Sequence, residues 1–393
     1  MSPQPVQLEK MFTLIRERRR FTLGMPLCRN TATPLALLTP EGVSMLVSQG
    51  IEVVVERGIG KAIRYEDDRY CQAGASIASR TETFGCDVVL YSGNILAEEA
   101  VCIRPHGLLL NLRDNFALHR DATQILLDRM VTVLSLCQVR DNRGLMPLAD
   151  ILEEVSGRAT VVAATSFLSS PLIGKGLLPG GVAGVNPCEV VILGTGMAAL
   201  AAARSVIGLG GMVRMFDSDP YCLRTAISEL GPAVIGSALH PVVLGHALSS
   251  ADIVIATRLY RHFAIDDSVL NTMKRGVIIF DLDDKNGISS TFPTLNCIDV
   301  AMAMENRIEP SPAVCLVNPV GAVKRTAAMA LTNDIVPVIG RLFGSGEGLV
   351  NVLKTDSGLR AAVALYKGRI VSRELAKSLN TKWVDINLLL SFS

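Results

Sequence analysis

From residue 21 onward, short apolar runs alternate with segments in which apolar positions recur at helical spacing. Thr39, Pro40 and Gly50 fit the N-cap, the first turn and the residue beyond the end of one such helix. Further helical patterns occupy residues 67–75 and 122–130. The apolar runs predict strands at FTLGMP (21–26), IEVVVERG (51–58), DVVLYSG (87–93), GLLLNL (107–112) and TVLSLC (132–137). This alternation predicts a parallel sheet that is covered by helices on both faces.

The same alternation returns in the second half of the chain, after a long helical segment at 148–170 and a Gly/Pro-rich loop at 178–187. A helical pattern follows at 321–343. Residues 345–393 are too few for a domain of their own, so we expect them to return and pack on the first domain. The predicted strands are EVVIL (189–193), MVRMFD (212–217), DIVIAT (252–257), GVIIFDLD (276–283) and AVCLVN (313–318).

Composition narrows the class of protein. Hydrophobic residues make up 49% of the 393 residues and charged residues 19%, which is typical of a globular chain. The net charge of +1 argues against nucleic acid as a partner. The apolar runs are interrupted and no signal peptide is visible, so we expect no membrane span. Nine cysteines without a C-x-x-C pair indicate a reducing cytoplasm, and the five scattered histidines suggest no metal site.

One turn in the second half carries the pattern of a dinucleotide-binding site. Gly194, Gly196 and Ala199 form a G-x-G-x-x-A variant between an apolar strand and an Ala-rich helix. We expect the backbone of Thr195, Gly196, Met197 and Ala198 to receive the phosphates at the helix N-terminus. A turn without a ligand is the alternative interpretation.

The acid that ends the next strand agrees with a dinucleotide. Asp217 stands 23 residues after Gly194, followed by Ser218. A carboxylate there binds the ribose hydroxyls and repels a 2′-phosphate, so the sequence favours NAD over NADP as cofactor.

The run VVILGTGMAALAAARSVIGLGGMVRMFD (190–217) resembles the cofactor domain of alanine dehydrogenases and of the NAD-binding subunit of proton-pumping transhydrogenase. Other segments resemble the same family in the same order, so the likeness extends over nearly the whole chain from residue 21. These segments are LTPEGVSMLVSQGIEVVVERGIG (38–60), EEVSGRATVVAA (153–164), GKGLLPGGVAGVNP (174–187), VNPVGAVKRTAAMALTN (317–333) and YKGRIVSRELAKSLN (366–380).

The resemblance implies an α/β fold of two Rossmann-like, doubly wound parallel-sheet domains, joined by long helices and separated by a substrate cleft. It also implies a homo-oligomer, a hexamer in alanine dehydrogenases and a dimer in the transhydrogenase subunit. The expected organisation is an N-terminal extension (1–20), a substrate-type domain (21–150 with 325–393), a connecting helix and loop (151–187) and an NAD-binding domain (188–324).

Against that resemblance, the family's catalytic side chains are replaced. Leu35 stands where the family has the Arg that holds the substrate carboxylate. Tyr91 and Gly93 stand at two Lys places, the second of them catalytic. The family's His falls on Arg113 or Asp114, depending on the register.

Two further positions of the resemblance remain open. The family's catalytic Asp falls on Asp283 or Lys285, and a solvated turn explains this segment equally well. Asn318 resembles the residue near the nicotinamide, and a strand-end turn Asn is the alternative.

Three functions remain open at this stage. In the first, the chain is an NAD-dependent oxidoreductase for an amino or oxo acid. Its rebuilt pocket then uses Arg113, Asp114, Asp283, Lys285 or Tyr91. Alternatively, it is a catalytically silent NAD(H)-binding regulator or scaffold. The third possibility, a transhydrogenase-like cofactor subunit, requires a membrane partner that nothing in the sequence reveals. Loss of one acid–base group alone lowers a rate by about 10²–10⁴-fold, so ordinary alanine turnover is not expected.

Overall fold

The computed structural model describes residues 21–29, 34–112, 118–170, 174–257, 272–282, 294–297, 314–317, 319–344 and 348–391. The chain divides into two compact units. The first contains the described residues up to 29, those in 36–145 and those from 332 onward, and the second is centred on Met146–Leu331. No helix in the described ranges is both long enough and apolar enough to cross a bilayer.

The sheet of the first unit has eight strands in the order β15-β14-β6-β5-β4-β1-β2-β3. Strands β1 to β6 are parallel and are connected by helical crossovers, whereas β14 pairs antiparallel with β6, and β15 pairs antiparallel with β14 at the edge of the sheet. The strands are β1 Thr22–Met25, β2 Glu52–Glu56, β3 Ser76–Ala78, β4 Val88–Tyr91, β5 Leu108–Asn111, β6 Thr132–Ser135, β14 Val363–Tyr366 and β15 Arg369–Ile370.

The apolar runs form the buried strands as predicted, and β4, β5 and β6 are buried at every position. Thr39 is the N-cap of the first helix, but its side chain makes no capping bond, and its N–H donates to Thr332 Oγ1 at 2.9 Å. The early helices are α1 Pro40–Ser48, α2 Asp67–Gln72, α3 Arg80–Phe84, α4 Ala97–Cys102 and α5 Arg120–Asp128.

The second unit contains a seven-stranded parallel sheet in the order β12-β13-β11-β10-β7-β8-β9. The chain leaves β7 towards β8 and β9 and then returns to the other side of β7 at β10. The carboxyl end of β7 is therefore a topological switch point. The strands are β7 Glu189–Leu193, β8 Met212–Asp217, β9 Val234–Ala238, β10 Ile253–Ala256, β11 Ile278–Asp281, β12 Thr294–Asn296 and β13 Val314–Val317.

Two helices of this unit were predicted from the sequence, the long helix at 148–170 and the Ala-rich helix after the glycine turn. The long helix α6 covers Pro147–Leu168, α7 covers Met197–Gly208 and α8 covers Pro220–Leu230. Side chains of α6 and α7 form one core with β7, β8 and β10. The remaining helices of the chain are α9 Pro241–Ser250, α10 Lys324–Phe343, α11 Leu349–Thr355, α12 Ser357–Ala361, α13 Arg373–Leu379 and α14 Ile386–Ser391.

The C-terminal segment packs on the first unit over its described residues 348–391, as predicted. In β14, Val363 pairs with Leu134 of β6, and Ala364 and Leu365 are buried in the same core as Val133. Residues 178–187 contain no helix or strand; an isolated bridge between Val182 and Val185 and a hydrogen bond from the Cys188 N–H to the Pro179 carbonyl at 2.8 Å order them. The loop prediction for this segment is therefore confirmed.

Candidate functional site

The turn after β7 has the backbone that its glycines predict. Gly194 has φ of 103°, a conformation that strains any residue with a Cβ. Its N–H donates to the carbonyl of Phe216 in β8 at 2.7 Å. The chain thus turns sharply at the switch point of the sheet and enters α7 three residues later, at Met197.

Gly196 is the N-cap of α7 and is exposed. It has no side chain to cap the first turn, so the amide groups at the start of α7 are approachable from outside. An anion is favoured at such a helix end by those N–H groups and by the helix dipole. Met197 is half-buried and Ala198 is buried.

The two helices α6 and α7 are in backbone contact behind this turn. A Cβ added to Gly157 of α6 would lie 2.1 Å from the carbonyl oxygen of Ala198. Ala199, the third small residue of the motif, is fully buried in the core. The small residues therefore fix the position of the turn by allowing helices and sheet to approach closely.

Asp217 ends β8 beside this turn, and only 5% of it is exposed. Its Oδ2 accepts a hydrogen bond from the Thr195 hydroxyl at 2.7 Å, and its Oδ1 accepts one from the Asp219 N–H at 2.9 Å. A carboxylate can accept about four hydrogen bonds, so these two contacts orient it and still leave capacity for a vicinal diol. Ser218, the next residue, is half-buried.

Thr257, which sequence reasoning missed, fixes the carboxyl end of β7. It follows β10, is 4% exposed, and donates to the Leu193 carbonyl from its N–H at 2.9 Å and from its hydroxyl at 2.8 Å. Its contact depends on the pairing of β10 with β7, which is a property of the sheet and not of a sequence motif.

Glu153 is a second residue that no motif predicts. It lies on α6, half-buried, and its Oε2 lies 3.7 Å from the position that a Cβ on Gly196 would occupy. A carboxylate therefore stands close to the exposed glycine of the turn.

Five candidate site residues from the sequence analysis lie outside the described residues: Arg113, Asp114, Asp283, Lys285 and Asn318. Their proposed roles stay predictions. His119 is the exposed N-cap of α5.

In the first unit, the ends of β2 and β4 carry a network of charges that sequence reasoning also missed. Arg80 donates to Glu56 Oε2 at 3.0 Å and to the Leu27 carbonyl at 2.6 Å, and it also pairs with Glu99. The carboxylates of Glu56 and Glu99 are almost fully buried, with 3% and 5% of their side chains exposed. Arg29 pairs with Glu56 from the solvent side.

Tyr91, at one of the two Lys places, belongs to this network. Its hydroxyl donates to Glu99 Oε1 at 3.1 Å, and the residue is fully buried. Burial, with the neighbouring Cys28 and Glu99, raises its pKa far above the ordinary value. Gly93 follows with its carbonyl held by Asn111 Nδ2 at 3.2 Å.

Charge balance limits what this network can bind. The two guanidinium groups of Arg29 and Arg80 face the two carboxylates of Glu56 and Glu99, so the charges cancel within the network. An adjoining cavity of about 500 Å³ is lined by Arg29, Glu56, Arg57, Ile77, Ala78, Ser79, Arg80 and Glu82. Among the residues described, the half-buried Arg80 is therefore already paired with two buried carboxylates, which is the arrangement of a structural cation and not of a clamp that awaits a substrate carboxylate.

Comparisons with known proteins agree with the fold. Two family models match the chain: Alanine dehydrogenase/PNT, N-terminal domain, over residues 36–156, and Alanine dehydrogenase/PNT, C-terminal domain, over residues 159–373. Alanine dehydrogenase of Bacillus subtilis (strain 168) is 31% identical over 369 residues, covering 92% of this chain and 96% of that protein.

Solved structures give the same result. An L-alanine dehydrogenase superposes with a TM-score of 0.78 at 26% identity, covering 91% of this chain and 99% of the other. The transhydrogenase from Sinorhizobium meliloti shares the fold with a TM-score of 0.70 at 19% identity, covering 89% of this chain and 99% of that one. The two sheets, the order of the segments and the matched models together show that this chain belongs to the alanine dehydrogenase/PNT family.

Proposed function

We propose that this chain is an NAD(H)-binding, alanine dehydrogenase-like protein. The observation that carries the proposal is the buried Asp217 carboxylate, oriented by Thr195 and Asp219 beside the glycine turn that opens α7. The helix end suits a pyrophosphate, and Asp217 suits a ribose with two free hydroxyls and disfavours a 2′-phosphate. The names of the relatives, alanine dehydrogenase and transhydrogenase, support a nicotinamide cofactor.

We further propose that the reaction differs from ordinary alanine chemistry. When bound, the nicotinamide supplies or accepts a hydride. Holding an amino or oxo acid requires a cation for its carboxylate, and moving its protons requires a titratable group. Leu35 and Gly93 offer neither, and Arg80 is neutralised by Glu56 and Glu99. For an active enzyme, these roles fall on Arg113, Asp114, Asp283 and Lys285, with Asn318 near the nicotinamide.

The state of Tyr91 favours a second candidate function, a catalytically silent NAD(H)-binding regulator. A tyrosine whose pKa is raised by burial stays a neutral hydroxyl at physiological pH, and this hydroxyl is already bonded to Glu99. It is therefore a poor substitute for a lysine that must exchange protons. Binding of NAD(H) would then act by shifting the population of conformations.

Calorimetric titration with NAD, NADH and NADP tests the cofactor assignment. NAD and NADH should bind and NADP should bind more weakly, whereas failure of both NAD forms to bind would reject the proposal. A screen of amino and oxo acids by NADH absorbance then separates the two candidates. Turnover of an acid other than alanine supports the oxidoreductase, no turnover supports the silent regulator, and fast alanine turnover contradicts both.

The assembly of the protein is part of the same proposal. By analogy with the family, we propose a cytoplasmic homo-oligomer, either a dimer or a hexamer. Light scattering on the purified protein would identify which form is present, and a monomer at micromolar concentration would contradict the proposal.

A further inference from the structure

The cavity of about 500 Å³ beside the charge network lies at the carboxyl ends of β2 and β3, wholly within the first unit. Glu56 ends β2 and Ala78 ends β3, and both residues line the cavity. Parallel sheets bind their ligands at this edge, outside the carboxyl ends of the strands. Small-molecule sites have volumes of about 300–1,000 Å³. The cavity therefore has the position and the size of such a site.

Glu56 is the most buried residue that lines the cavity, and it is held firmly. Its Oε2 accepts hydrogen bonds from the Leu27 N–H at 2.7 Å and from Arg80 at 3.0 Å. Arg29 pairs with the other oxygen of this carboxylate, which uses one of the five N–H donors of its guanidinium group. The remaining donors of Arg29 are thus positioned before any ligand arrives, and such preorganisation lowers the entropic cost of binding.

Arg57 adds a cation that the charge network does not neutralise. Its backbone N–H donates to the Ala78 carbonyl at 3.2 Å, which fixes the chain beside the cavity. Its guanidinium group lines the cavity and forms no ion pair with any residue in the described ranges. A guanidinium group in this state can hold a carboxylate through two parallel hydrogen bonds.

Glu82 places a negative charge at the exposed edge of the same cavity. Its Oε2 accepts hydrogen bonds from the Ser79 hydroxyl at 2.6 Å and from the Ser79 N–H at 2.8 Å, which form the capping box of α3. These bonds hold the pKa of Glu82 below its ordinary value, so the carboxylate is ionised at neutral pH. Within the part of the chain that is described, Glu82 also lacks an ionic partner. The cavity thus presents one cation and one anion that do not pair with each other.

We propose that this cavity binds a small zwitterion of the α-amino acid class, with its carboxylate on Arg57 and its ammonium group at Glu82. Arg29 donates further hydrogen bonds to the carboxylate, and the apolar wall of Ile77 and Ala78 receives the side chain. A dianion is disfavoured because Glu82 repels a second negative charge. The inference goes beyond the proposed NAD(H) function and does not depend on it, since every lining residue belongs to the first unit.

Calorimetric titration of the full-length protein, without added cofactor, tests the proposal. The probes are L-alanine, L-leucine and L-phenylalanine, whose side chains differ in size. The tightest binder is then compared with its 2-oxo acid, which lacks the ammonium group, and with the corresponding amine, which lacks the carboxylate. The amine should bind at least about tenfold more weakly because it loses the charge-assisted hydrogen bonds, and the 2-oxo acid about threefold more weakly.

Three variants locate the ligand. Arg57→Gln should weaken binding of the amino acid by about tenfold. Glu82→Gln preserves the capping box, because Gln also serves at that position, and it removes the charge. It should weaken binding of the amino acid and strengthen binding of the 2-oxo acid. The matched control is Arg69→Gln on α2, an exposed arginine outside the cavity, which should bind the amino acid within about twofold of the wild type. Unchanged melting temperatures would show that all three variants are folded.

Each outcome decides for or against the zwitterion site. Failure of all three amino acids to bind the wild type would overturn the proposal and leave the NAD(H) titration unaffected. Equal affinities of the wild type and Arg57→Gln would also reject it, because the amino acid would then bind elsewhere. A 2-oxo acid that binds as tightly as the amino acid, with no response to Glu82→Gln, would identify an anion site instead. Weakening in Arg57→Gln, with opposite responses of the two ligands to Glu82→Gln, supports the proposal.

Discussion

The hydroxyl of Thr195, inside the glycine turn, donates a hydrogen bond of 2.7 Å to Asp217, at the end of the neighbouring strand. This bond couples the phosphate end of the proposed site to its ribose end. Replacing Thr195 by Val keeps the shape and removes the donor, so Asp217 loses one of its two orienting contacts. We expect NAD to bind about three- to tenfold more weakly in calorimetry, since one such hydrogen bond contributes about 0.5–1.5 kcal/mol. Thr195→Ser keeps the hydroxyl and should bind as the wild type does.

The Asp217 carboxylate itself should govern which dinucleotide is accepted. In Asp217→Arg, the acceptor for the ribose diol is replaced by a cation that can pair with a 2′-phosphate. We expect the affinity for NAD to fall by at least tenfold and the NADP-to-NAD preference to rise. Parallel titrations with NAD and NADP measure the ratio of the two affinities. An unchanged ratio would show that Asp217 does not contact the ribose.

The close contact between α6 and α7 should make Gly157 intolerant of any side chain. A Cβ there would lie 2.1 Å from the Ala198 carbonyl oxygen, which is backbone and must be displaced. We expect Gly157→Ala to lower the free energy of unfolding by about 1–3 kcal/mol in urea and to weaken NAD binding. Gly245→Ala in α9, where nothing lies within 4 Å, is the control and should be neutral or slightly stabilising.

The half-buried Arg80 should be essential to the stability of the first unit. Arg80→Met would leave the buried Glu99 carboxylate without its cation, and the buried Glu56 carboxylate with only the exposed Arg29. Breaking such a network from one side destabilises by about 3–5 kcal/mol. The control is Arg143→Met, whose side chain is 79% exposed and whose loss should change stability by less than about 1 kcal/mol. Similar urea midpoints for the two variants would contradict a structural role for Arg80.

An ion cluster at the opposite, amino-terminal edge of the second sheet predicts a pH dependence. Asp252 accepts hydrogen bonds from Lys175 and Lys274 at 3.0 Å each and from the Glu189 N–H at 3.1 Å. Burial alone would raise the pKa of Asp252, but these hydrogen bonds outweigh it and hold the pKa below its usual value. The carboxylate therefore stabilises the fold above the unfolded-state pKa of about 3.9, and this contribution is lost as the pH falls through the folded-state pKa.

The corresponding measurement compares Asp252→Asn with the wild type in urea. We expect the free energy of unfolding of Asp252→Asn to be lower than that of the wild type by about 1–3 kcal/mol at pH 7. This difference should shrink below about pH 4. Glu154→Gln, at an exposed pair, should change stability by no more than about 0.5 kcal/mol at either pH. A difference for Asp252→Asn that persists unchanged at pH 3 would show that the loss arises from packing and not from charge.

The sequence predicted most strands of the two sheets and the glycine turn at Gly194–Gly196, because these depend on local patterns. Apolar runs form buried strands, as in β4. Gly194 adopts the positive φ that the first glycine of the motif needs for a tight turn. Glu153, Thr257 and Arg80 could not be found in this way. Glu153 comes to the turn through helix packing, and Thr257 reaches β7 through the pairing of β10. Arg80 meets Glu56 and Glu99 only because β1 lies between β2 and β4 in the sheet.

The pairing of Val363 with Leu134 has a consequence for how the protein folds during its synthesis. Strand β14 leaves the ribosome long after β6, on the order of tens of seconds at ordinary rates of synthesis. Throughout that time the β6 edge of the first sheet is open, and an open edge is a template for wrong pairing with another chain. The second unit is nearly continuous in sequence and can fold first. A nascent chain is therefore exposed to aggregation through β6 until its last segment arrives, and stop codons before β14 should yield insoluble products.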